Sequence, residues 1–176
     1  IVIRGAQNTS ERLIRSRVAL QKGGVYRRSL VRRTEERLAT LGVFGSISVG
    51  FLGTAQIDRY ANLNTTLIGD YRNPKVRLPG GGGAPEIATN AKEVFITVKH
   101  SKRTFVKDVD FITTVGFGRD GKARDNVPNI GRGTTVVITD LCILKPDPET
   151  KELVVTSLHP GVTREQIIEA TGWEIR

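Results

Sequence analysis

The sequence is poor in several of the residues on which whole classes of protein depend. Cys142 is its only cysteine and it has two histidines, so an internal disulfide is excluded and no set of metal ligands is offered. Its longest apolar stretches, such as Val43–Phe51, are broken by Gly and Ser. None approaches the roughly 20 residues that a membrane-spanning helix needs, so we expect neither a metal nor a membrane span. The chain begins at Ile1 with neither a methionine nor a signal-peptide pattern, which suggests an excised or processed fragment.

Acidic residues are scarce at the beginning of the chain. Residues 1–49 contain 10 Lys and Arg against 3 Glu, a net charge of +7, whereas residues 50–176 contain 17 basic and 15 acidic residues, a net charge of +2. A change of this size near residue 49 marks two segments of different character. The chain of 176 residues is 38% hydrophobic, which suits one ordinary domain or two small ones and excludes a disordered protein.

For the first segment, residues 1–49, the sequence predicts the order strand, helix, helix, strand. IVIRG alternates apolar and charged residues and ends at Gly5. Asn8–Glu11 is typical of a helix start, and Arg28–Leu41 has an apolar stripe at helical spacing before the strand SISV.

This segment resembles a POTRA domain, the periplasmic module of outer-membrane β-barrel assembly proteins. The resemblance rests on IVIRG, LIRSRVALQKGGVY and RRTEERLATLGVFGSISV. It implies a non-enzymatic protein-binding module that pairs a sheet edge with an unfolded client strand. A complete module has a third strand, which is not recognisable here, so we expect residues 1–49 to form a small, incomplete βααβ segment.

The arginines of the same segment raise the alternative of nucleic-acid binding, because such a patch can attract phosphates. No aromatic platform accompanies them, and they occupy nearly every solvent-side position, so a solvated face is favoured and nucleic acid is not an expected partner. The arginines are Arg12, Arg15, Arg17, Arg27, Arg28, Arg32 and Arg33.

The second segment, residues 50–176, contains β-rich runs, most of them continuous and apolar, which favours strands buried on both faces of a sheet. We predict an α/β class, with a mixed, mostly parallel sheet and flanking helices. Thr163 and Gln166 predict the capping box of a closing helix that Gly172 ends. The β-rich runs are VGFLGTAQI, KVRLP, EVFITVKH, DFITTVGFG, TTVVITDLCILK and ELVVTSLH.

Two connections in this segment can be predicted from their composition. PDPETK lies between the last two β-rich runs, and its Pro and Asp residues predict an antiparallel hairpin there. Phe117–Gly133 is rich in Gly and Arg and is predicted to be a mobile surface loop.

The glycine run in Leu78–Ala88, LPGGGGAPEIA, admits two interpretations. A glycine run is the usual signature of a flexible linker. This one lies between the run KVRL and a short predicted helix with Pro85 and Glu86 in its first turn. This position argues against a spacer, and glycines at this point let a ligand approach the backbone, where their N–H groups can bind an acyl oxygen or a phosphate. A glycine-rich loop alone does not decide between the two interpretations. The run fits neither a P-loop nor a Rossmann fingerprint, since no Gly-Lys-Ser/Thr follows and the glycine spacing differs.

Five stretches carry a second and sharper resemblance. In these stretches residues 50–176 resemble the small (beta) subunit of bacterial two-subunit CoA-transferases, of the 3-oxoadipate and glutaconate type. LPGGGGAPEIA and LHPGVTREQ are the most specific parts. The stretches, in chain order, are GFLGTAQIDRYANLNTTLIGDY, NPKVRLPGGGGAPEIA, FITTVGFG, VVITDLCILKP and TSLHPGVTREQIIEATGW.

The resemblance implies the CoA-transferase fold and the transfer of CoA between carboxylic acids, in which a glutamate attacks an acyl-CoA and becomes a glutamyl-CoA thioester by way of an anhydride. Gly80, Gly82, Gly83 and Ala84 match the family's Gly-x-Gly-Gly-Ala motif and are the implied CoA-binding residues, through their backbone N–H groups. The implied partners are a separate alpha subunit in a hetero-oligomer, an acyl-CoA and a carboxylic acid. The CoA thioester is a substrate, and no bound cofactor is expected. The implied location is the cytoplasm, or the periplasm if the POTRA-like segment dominates.

The chain departs from the family pattern at the nucleophile. In the family this glutamate lies in a Glu-Ser-Gly stretch upstream of the matched region, and the chain has no Glu-Ser-Gly. Glu11, Glu35 and Glu36 belong to the first segment, so no catalytic residue is assigned and the protein is expected to be catalytically incomplete. We interpret the chain as a fusion, natural or artificial, of the two segments near Ser48–Gly50.

A second departure is Ala61, where the family commonly has a glycine. If this position has a positive φ, alanine costs about 1 kcal/mol of strain. Asp58, Asn62 and Asn64 are possible site-supporting residues, because their side chains can bond the backbone of the surrounding turn. A direct role in substrate binding is the less favoured alternative.

The remaining polar residues support weaker hypotheses. His100–Arg103 could contact CoA phosphates or form a solvated strand end. Ser157, His159 and Asp140 contain the atoms of a hydrolase triad, but nothing in the sequence places Asp140 beside the other two. Cys142 lies in an apolar run, which favours a buried structural thiol over a nucleophile.

Overall fold

The computed structural model describes residues 49–127 and 131–176, together with Val18, Ser29 and Thr34 as isolated residues. The chain divides into two units, Ile1–Ser48 and Val49–Arg176. The POTRA-like segment predicted for residues 1–49 lies almost entirely outside the described residues and stays a prediction. The fold given below is that of the second unit.

Nine strands and two helices are described, and most of them coincide with the β-rich runs and the two predicted helices. Numbered in chain order, the strands are β1 (Val49–Leu52), β2 (Gln56–Ile57), β3 (Leu63–Asn64), β4 (Leu67–Gly69), β5 (Pro74–Arg77), β6 (Glu93–Thr97), β7 (Thr134–Ile138), β8 (Cys142–Pro146) and β9 (Leu153–Leu158). The helices are α1 (Ala84–Asn90) and α2 (Arg164–Glu169).

The main sheet has five strands in the order β1-β6-β7-β8-β9. The pairs β1/β6 and β6/β7 are parallel, whereas β7/β8 and β8/β9 are antiparallel. The predicted α/β class and mixed sheet are therefore confirmed. The expectation of a mostly parallel sheet is wrong for the described residues, because TTVVITDLCILK is not one strand. It reverses at Thr139–Leu141 into β7 and β8, and so short a turn can join only antiparallel neighbours.

Two small antiparallel sheets, β2/β3 and β4/β5, lie outside the main sheet. The run DFITTVGFG, predicted as a strand, makes only an isolated bridge between Leu63 and Thr114. Its N–H groups at Thr113 and Thr114 both donate to the Leu63 carbonyl, at 2.9 and 3.1 Å. The run therefore crosses β3 at one point instead of extending a ladder along it.

The local signals for the turn and the closing helix are confirmed. β8 and β9 form an antiparallel hairpin across PDPETK. Thr163 and Gln166 form a reciprocal capping box at the start of α2, with the Thr163 N–H donating to Gln166 Oε1 at 2.9 Å and the Gln166 N–H donating to Thr163 Oγ1 at 3.4 Å. α1 carries Pro85 in its first turn and Glu86 beside it, as predicted.

One apolar core holds the main sheet, both helices and the segment that follows α2. Buried side chains from all of these elements contribute to it, and the small β2/β3 sheet adds Ile57 and Leu63. Among the described residues no helix is long and apolar enough to cross a membrane. The sheet members of the core include Leu52, Val94, Ile96, Val137, Leu144 and Leu153, and the helix side contributes Ala88, Ile167, Trp173 and Ile175.

Candidate functional site

The glycine loop begins at the base of the β4/β5 hairpin and is bonded to it. Beyond the last strand residues, the Leu78 N–H donates to the Thr66 carbonyl at 3.0 Å and the Gly80 N–H donates to the Thr65 carbonyl at 2.8 Å. The first half of the loop thus continues the hairpin's hydrogen bonding. It is a fixed connection between a strand and a helix, not a slack linker.

The second half of the loop turns into α1 and leaves open space beside three of its glycines. Gly80 and Gly82 have φ values of +94° and +50°, which other residues rarely adopt. The Ala84 N–H donates to the Gly81 carbonyl at 2.9 Å, and the Gly83 carbonyl accepts the Ile87 N–H at 3.0 Å. A Cβ placed on Gly80, Gly82 or Gly83 would meet nothing within 4 Å, so the loop has room for a ligand at these three positions.

The backbone N–H groups of the four predicted CoA-binding residues are not all free to bind a ligand. Those of Gly80 and Ala84 donate hydrogen bonds to carbonyls of the protein itself. Within residues 49–127 and 131–176, those of Gly81, Gly82 and Gly83 donate no hydrogen bond to the protein. The donors available to a ligand are therefore the three central glycines. α1 has only seven residues, so its dipole adds little to them.

Asp58 and Asn62 hold the turn between β2 and β3. Asp58 Oδ1 accepts the N–H groups of Tyr60 and Asn62, both at 3.0 Å, and Asp58 Oδ2 accepts Asn62 Nδ2 at 2.8 Å. Burial raises the pKa of Asp58, and its hydrogen bonds to Asn62 and Tyr60 oppose the rise. Ala61 has a positive φ of +57°, so the condition under which an alanine in place of the family's glycine costs about 1 kcal/mol of strain is met. Asn62 Oδ1 also accepts the Gly116 N–H at 3.0 Å, which ties the turn to the next segment.

Asn64 connects the small sheets to the glycine loop. It is fully buried, and its Nδ2 donates to Gln56 Oε1 at 2.7 Å and to the Leu67 carbonyl at 2.6 Å. Its Oδ1 accepts the Thr66 N–H at 3.0 Å. Asn64 therefore fixes the pair Thr65 and Thr66, whose carbonyls hold the beginning of the loop.

Thr113 supports the glycine loop, a role that could not be predicted from the sequence. Its Oγ1 accepts the Thr65 N–H at 2.9 Å and lies 2.6 Å from Thr66 Oγ1. Its Cγ2 lies 3.1 Å from the place where a Cβ of Gly81 would be. Because this contact joins positions 48 residues apart, the sequence gives little sign of it. The only hint is that a Thr-Thr pair occurs both at 65–66 and at 113–114.

Arg124 anchors the segment that was predicted to be a mobile loop. Its Nε donates to the Gly116 carbonyl at 2.8 Å and its Nη1 to the Gly131 carbonyl at 3.1 Å. Its Nη2 donates to the carbonyls of Ala88 in α1 and Val115, at 3.0 and 3.1 Å. Burial lowers the pKa of the guanidinium. The mobile-loop prediction is therefore wrong where Arg124 joins this segment to α1, the helix that follows the glycine loop.

His100 is not at a solvated strand end and does not face solvent. It is 4% exposed, its ring stacks on Phe105 with centroids 3.8 Å apart, and its Nε2 lies 3.0 Å from Thr171 Oγ1. Thr171 donates its own hydroxyl to the Ile167 carbonyl at 2.6 Å, so Nε2 must carry the proton that it shares with Thr171. Burial lowers the pKa of His100 to about 4 despite the nearby charge of Asp140. A neutral, enclosed ring does not bind a CoA phosphate, which removes His100 from that hypothesis.

Cys142 is fully buried beside the same ring, with Sγ 3.6 Å from His100 Nδ1. Burial raises the pKa of the thiol and lowers that of the imidazole, so the pair is neutral instead of a reactive thiolate and imidazolium. The hypothesis of a buried structural thiol agrees with this geometry.

The atoms of the hypothetical hydrolase triad are engaged elsewhere. His159 Nε2 lies 2.9 Å from the Thr139 carbonyl, and Asp140 Oδ1 accepts the backbone N–H of His100 at 2.7 Å. Ser157 Oγ makes its hydrogen bond to the Leu158 carbonyl at 3.5 Å. No triad is assembled from Ser157, His159 and Asp140.

Comparison with protein families gives one clear match. Residues 29–170 match the coenzyme A transferase family. The matched range covers the glycine loop, its threonine support and α2. It also begins 20 residues before the junction that the sequence analysis placed at residue 49.

Three relatives carry the comparison further. The chain is 61% identical over 132 residues to the beta subunit of the 3-oxoadipate CoA-transferase of Pseudomonas knackmussii, which covers 75% of this chain and 51% of that protein. The crystal structure of glutaconate coenzyme A-transferase from Acidaminococcus fermentans matches with a TM-score of 0.65 and 36% identity, over 72% of this chain and 49% of that one. The cholesterol ring-cleaving hydrolase IpdB subunit of Rhodococcus jostii is 31% identical over 127 residues, 70% of this chain and 48% of that protein. The chain thus spans about half the length of the curated relatives that it matches.

Proposed function

Because the chain belongs to the coenzyme A transferase family, we propose that it is a beta-subunit-type protein that takes part in the transfer of CoA between carboxylic acids. The 61% identity to the beta subunit of a 3-oxoadipate CoA-transferase makes 3-oxoadipate the first acid to test, with glutaconate next. An alpha subunit is the proposed partner, since both of these relatives are single subunits of larger enzymes. CoA thioesters are metabolites of the cytoplasm, and we propose that location.

The proposed binding site is the cradle formed by Gly80, Gly82, Gly83 and Ala84. One observation carries this proposal: the loop is fixed at both ends, yet it presents open space at three glycines and unused N–H groups at its centre. Such groups suit an oxygen atom of an acyl-CoA, which has acceptors along its whole length. Asp58, Asn62 and Asn64 are proposed to support the site indirectly, Asn64 by fixing Thr65 and Thr66 and the other two by holding the turn between β2 and β3. None of the three is proposed to contact substrate.

We propose that these 176 residues are catalytically incomplete. The 176 residues contain no Glu-Ser-Gly, so they do not provide the glutamate that attacks the thioester in this family. What they provide is a place in which the CoA thioester is bound and oriented. Binding is thus the activity by which the chain itself can be tested.

The test is a calorimetric titration of CoA and acetyl-CoA into the protein, alone and with an alpha subunit of the 3-oxoadipate enzyme. We expect saturable binding of both ligands, and no transfer of CoA to 3-oxoadipate by the chain alone. The absence of binding heat under all four conditions would contradict the proposal.

A further inference from the structure

An exposed aromatic pair lies at the tip of the β4/β5 hairpin, which leads into the glycine loop. Tyr71 stacks on Phe111 with the ring centroids 5.6 Å apart and an angle of 17° between the rings. Tyr71 is nevertheless 61% exposed, so much of its ring surface is open to solvent. Exposed apolar side chains are common in proteins, and two further observations give this pair a meaning.

The first observation is that a short segment joins the aromatic pair to the glycine loop. At one end of this segment, Thr113 Cγ2 lies 3.1 Å from the place where a Cβ of Gly81 would be. Phe111 comes two residues earlier, a span of at most about 7 Å. Asp110 Oδ2 accepts the Gly69 N–H at 2.9 Å, which fixes the other end alongside the hairpin. A ligand that occupies the loop and extends along the hairpin therefore reaches the aromatic pair.

The second observation is the charge of the same hairpin. Arg72, Lys75 and Arg77 are all exposed, and none of them forms an ion pair with a residue in 49–127 or 131–176. The one acidic residue between Leu67 and Arg77 is Asp70, whose Oδ1 accepts the backbone N–H groups of Arg72 and Asn73 at 2.8 and 3.1 Å. The hairpin thus presents an excess of positive charge, which attracts phosphates.

We propose that the β4/β5 hairpin binds the nucleotide end of CoA, with the adenine stacked on the Tyr71 ring and the phosphates against Arg72, Lys75 and Arg77. The inference rests on the proposed function, in which the thioester end occupies the glycine loop. CoA has its adenine, its diphosphate and its 3′-phosphate at the end opposite the sulfur, and the pantetheine arm separates the two ends. Aromatic rings stack on bases and cations attract phosphates. The hairpin therefore matches the ligand both in chemistry and in the order of its parts.

The test is a calorimetric titration of variants of the full chain, under the condition in which the wild type binds CoA. The probes are CoA and pantetheine, which lacks the nucleotide. We expect the wild type to bind CoA at least about tenfold more tightly than pantetheine. Tyr71→Ala should lose roughly tenfold in affinity for CoA, the lower part of the range for a base stacked on an aromatic ring, and nothing for pantetheine. Tyr71→Phe keeps the ring and should bind CoA as the wild type does.

The charges are tested by two double variants that remove the same number of basic residues. Lys75→Gln with Arg77→Gln should weaken CoA binding several-fold at low salt and by less at high salt, because salt screens exposed charges. Lys102→Gln with Arg103→Gln is the matched control, since these two residues are exposed and belong to the alternative phosphate site suggested by the sequence. The control should keep wild-type affinity, and thermal melting verifies that every variant folds.

Four results would overturn the inference and leave the proposed function standing. They are equal binding of CoA and pantetheine by the wild type, unchanged CoA binding by Tyr71→Ala, equal losses for both probes in that variant, and a loss in the control double variant as large as in the hairpin variant. If Tyr71→Ala weakens association with an alpha subunit and leaves CoA binding unchanged, the hairpin belongs to a subunit interface instead. A wild type that binds neither probe overturns the proposed function, and this inference with it.

Discussion

The glycine cradle and the cluster around His100 differ in which of their groups are free to bind a ligand. The cluster contains an imidazole and a thiol, the side chains that most often act in catalysis, yet His100 and Cys142 are buried, neutral and in contact with each other. The cradle contains only glycines and an alanine, yet it offers open space and the unused N–H groups.

The difference teaches that a site is marked by unsatisfied groups more than by reactive residue types. In the cluster, the protons of Thr171, Thr139 and the imidazole all have acceptors inside the protein. A ligand would have to displace these bonds, at a cost. In the cradle a ligand displaces only solvent. We expect mutations in the cluster to change stability alone and mutations in the cradle to change binding.

The largest effect is expected from Arg124, which holds α1 in place behind the cradle. Arg124→Met leaves four backbone carbonyls without their donor and should lower the free energy of unfolding by about 4 kcal/mol, measured by urea denaturation. Arg132→Met is the matched control, because Arg132 is exposed and the one ion pair that it makes with the described residues is with Glu93, at 3.3 Å. It should cost no more than about 0.5 kcal/mol. Equal losses in the two variants would mean that Arg124 is not an anchor.

The next effect is a dependence of stability on pH that arises in the His100 cluster. The pKa of His100 is lowered from 6.5 to about 4, so between these values the unfolded chain binds a proton that the folded protein does not. Its contribution to stability is therefore present above pH 6.5 and is lost as the pH falls towards 4, by at most about 3 kcal/mol. Asp58, whose pKa is raised by burial, acts in the opposite direction.

Urea denaturation at several pH values between 7 and 4, for the wild type and for His100→Gln, isolates this contribution. Asp58 is common to both proteins, so the difference between them reports on His100. We expect the variant to lose less stability on acidification than the wild type. Parallel pH profiles would show that the ring is not held neutral by burial.

A smaller effect is expected from Cys142→Ala. The substitution removes one buried sulfur atom and its contact with His100, which should lower the free energy of unfolding by about 1 kcal/mol. Affinity for CoA should not change, because the thiol is enclosed in the cluster. Two results would place Cys142 in the site and remove the distinction between the two regions. One is a loss of CoA affinity in this variant, and the other is that bound CoA protects the thiol of the wild type from an alkylating reagent.

The parts of the fold that could be predicted from the sequence are those whose cause is local. The capping box of Thr163 and Gln166 and the PDPETK hairpin each depend on residues a few positions apart. The reversal at Thr139–Leu141 contains neither Gly nor Pro. The Thr139 hydroxyl stabilises it by accepting the N–H groups of Leu141 and Cys142 at 3.1 and 2.9 Å. A threonine in an apolar run does not predict such a turn.

Of the candidate site, only the glycine loop could be predicted from the sequence, and the side chains that support the loop could not. The glycine loop was recognisable because glycine itself is the signal. Its support was not, because Thr113 and Arg124 act through contacts with Thr65 and Ala88, which lie 48 and 36 positions away. The burial of His100 could not be predicted for the same reason: the charged residues beside it suggest solvent, whereas Phe105 and Thr171, which follows α2, lie against the ring.

The measurement that tests the account most directly is CoA binding by Gly83→Leu. Gly83 has φ −89° and open space around it, so a leucine should enter without backbone strain and fill the cradle. Gly53→Leu, at an exposed glycine whose Cβ would make only one ordinary contact, controls for the added side chain. The account predicts that Gly83→Leu folds and loses CoA binding by at least about tenfold, while Gly53→Leu binds as the wild type does. Unimpaired binding by a folded Gly83→Leu would contradict it, because the coenzyme would then lie somewhere other than the glycine loop.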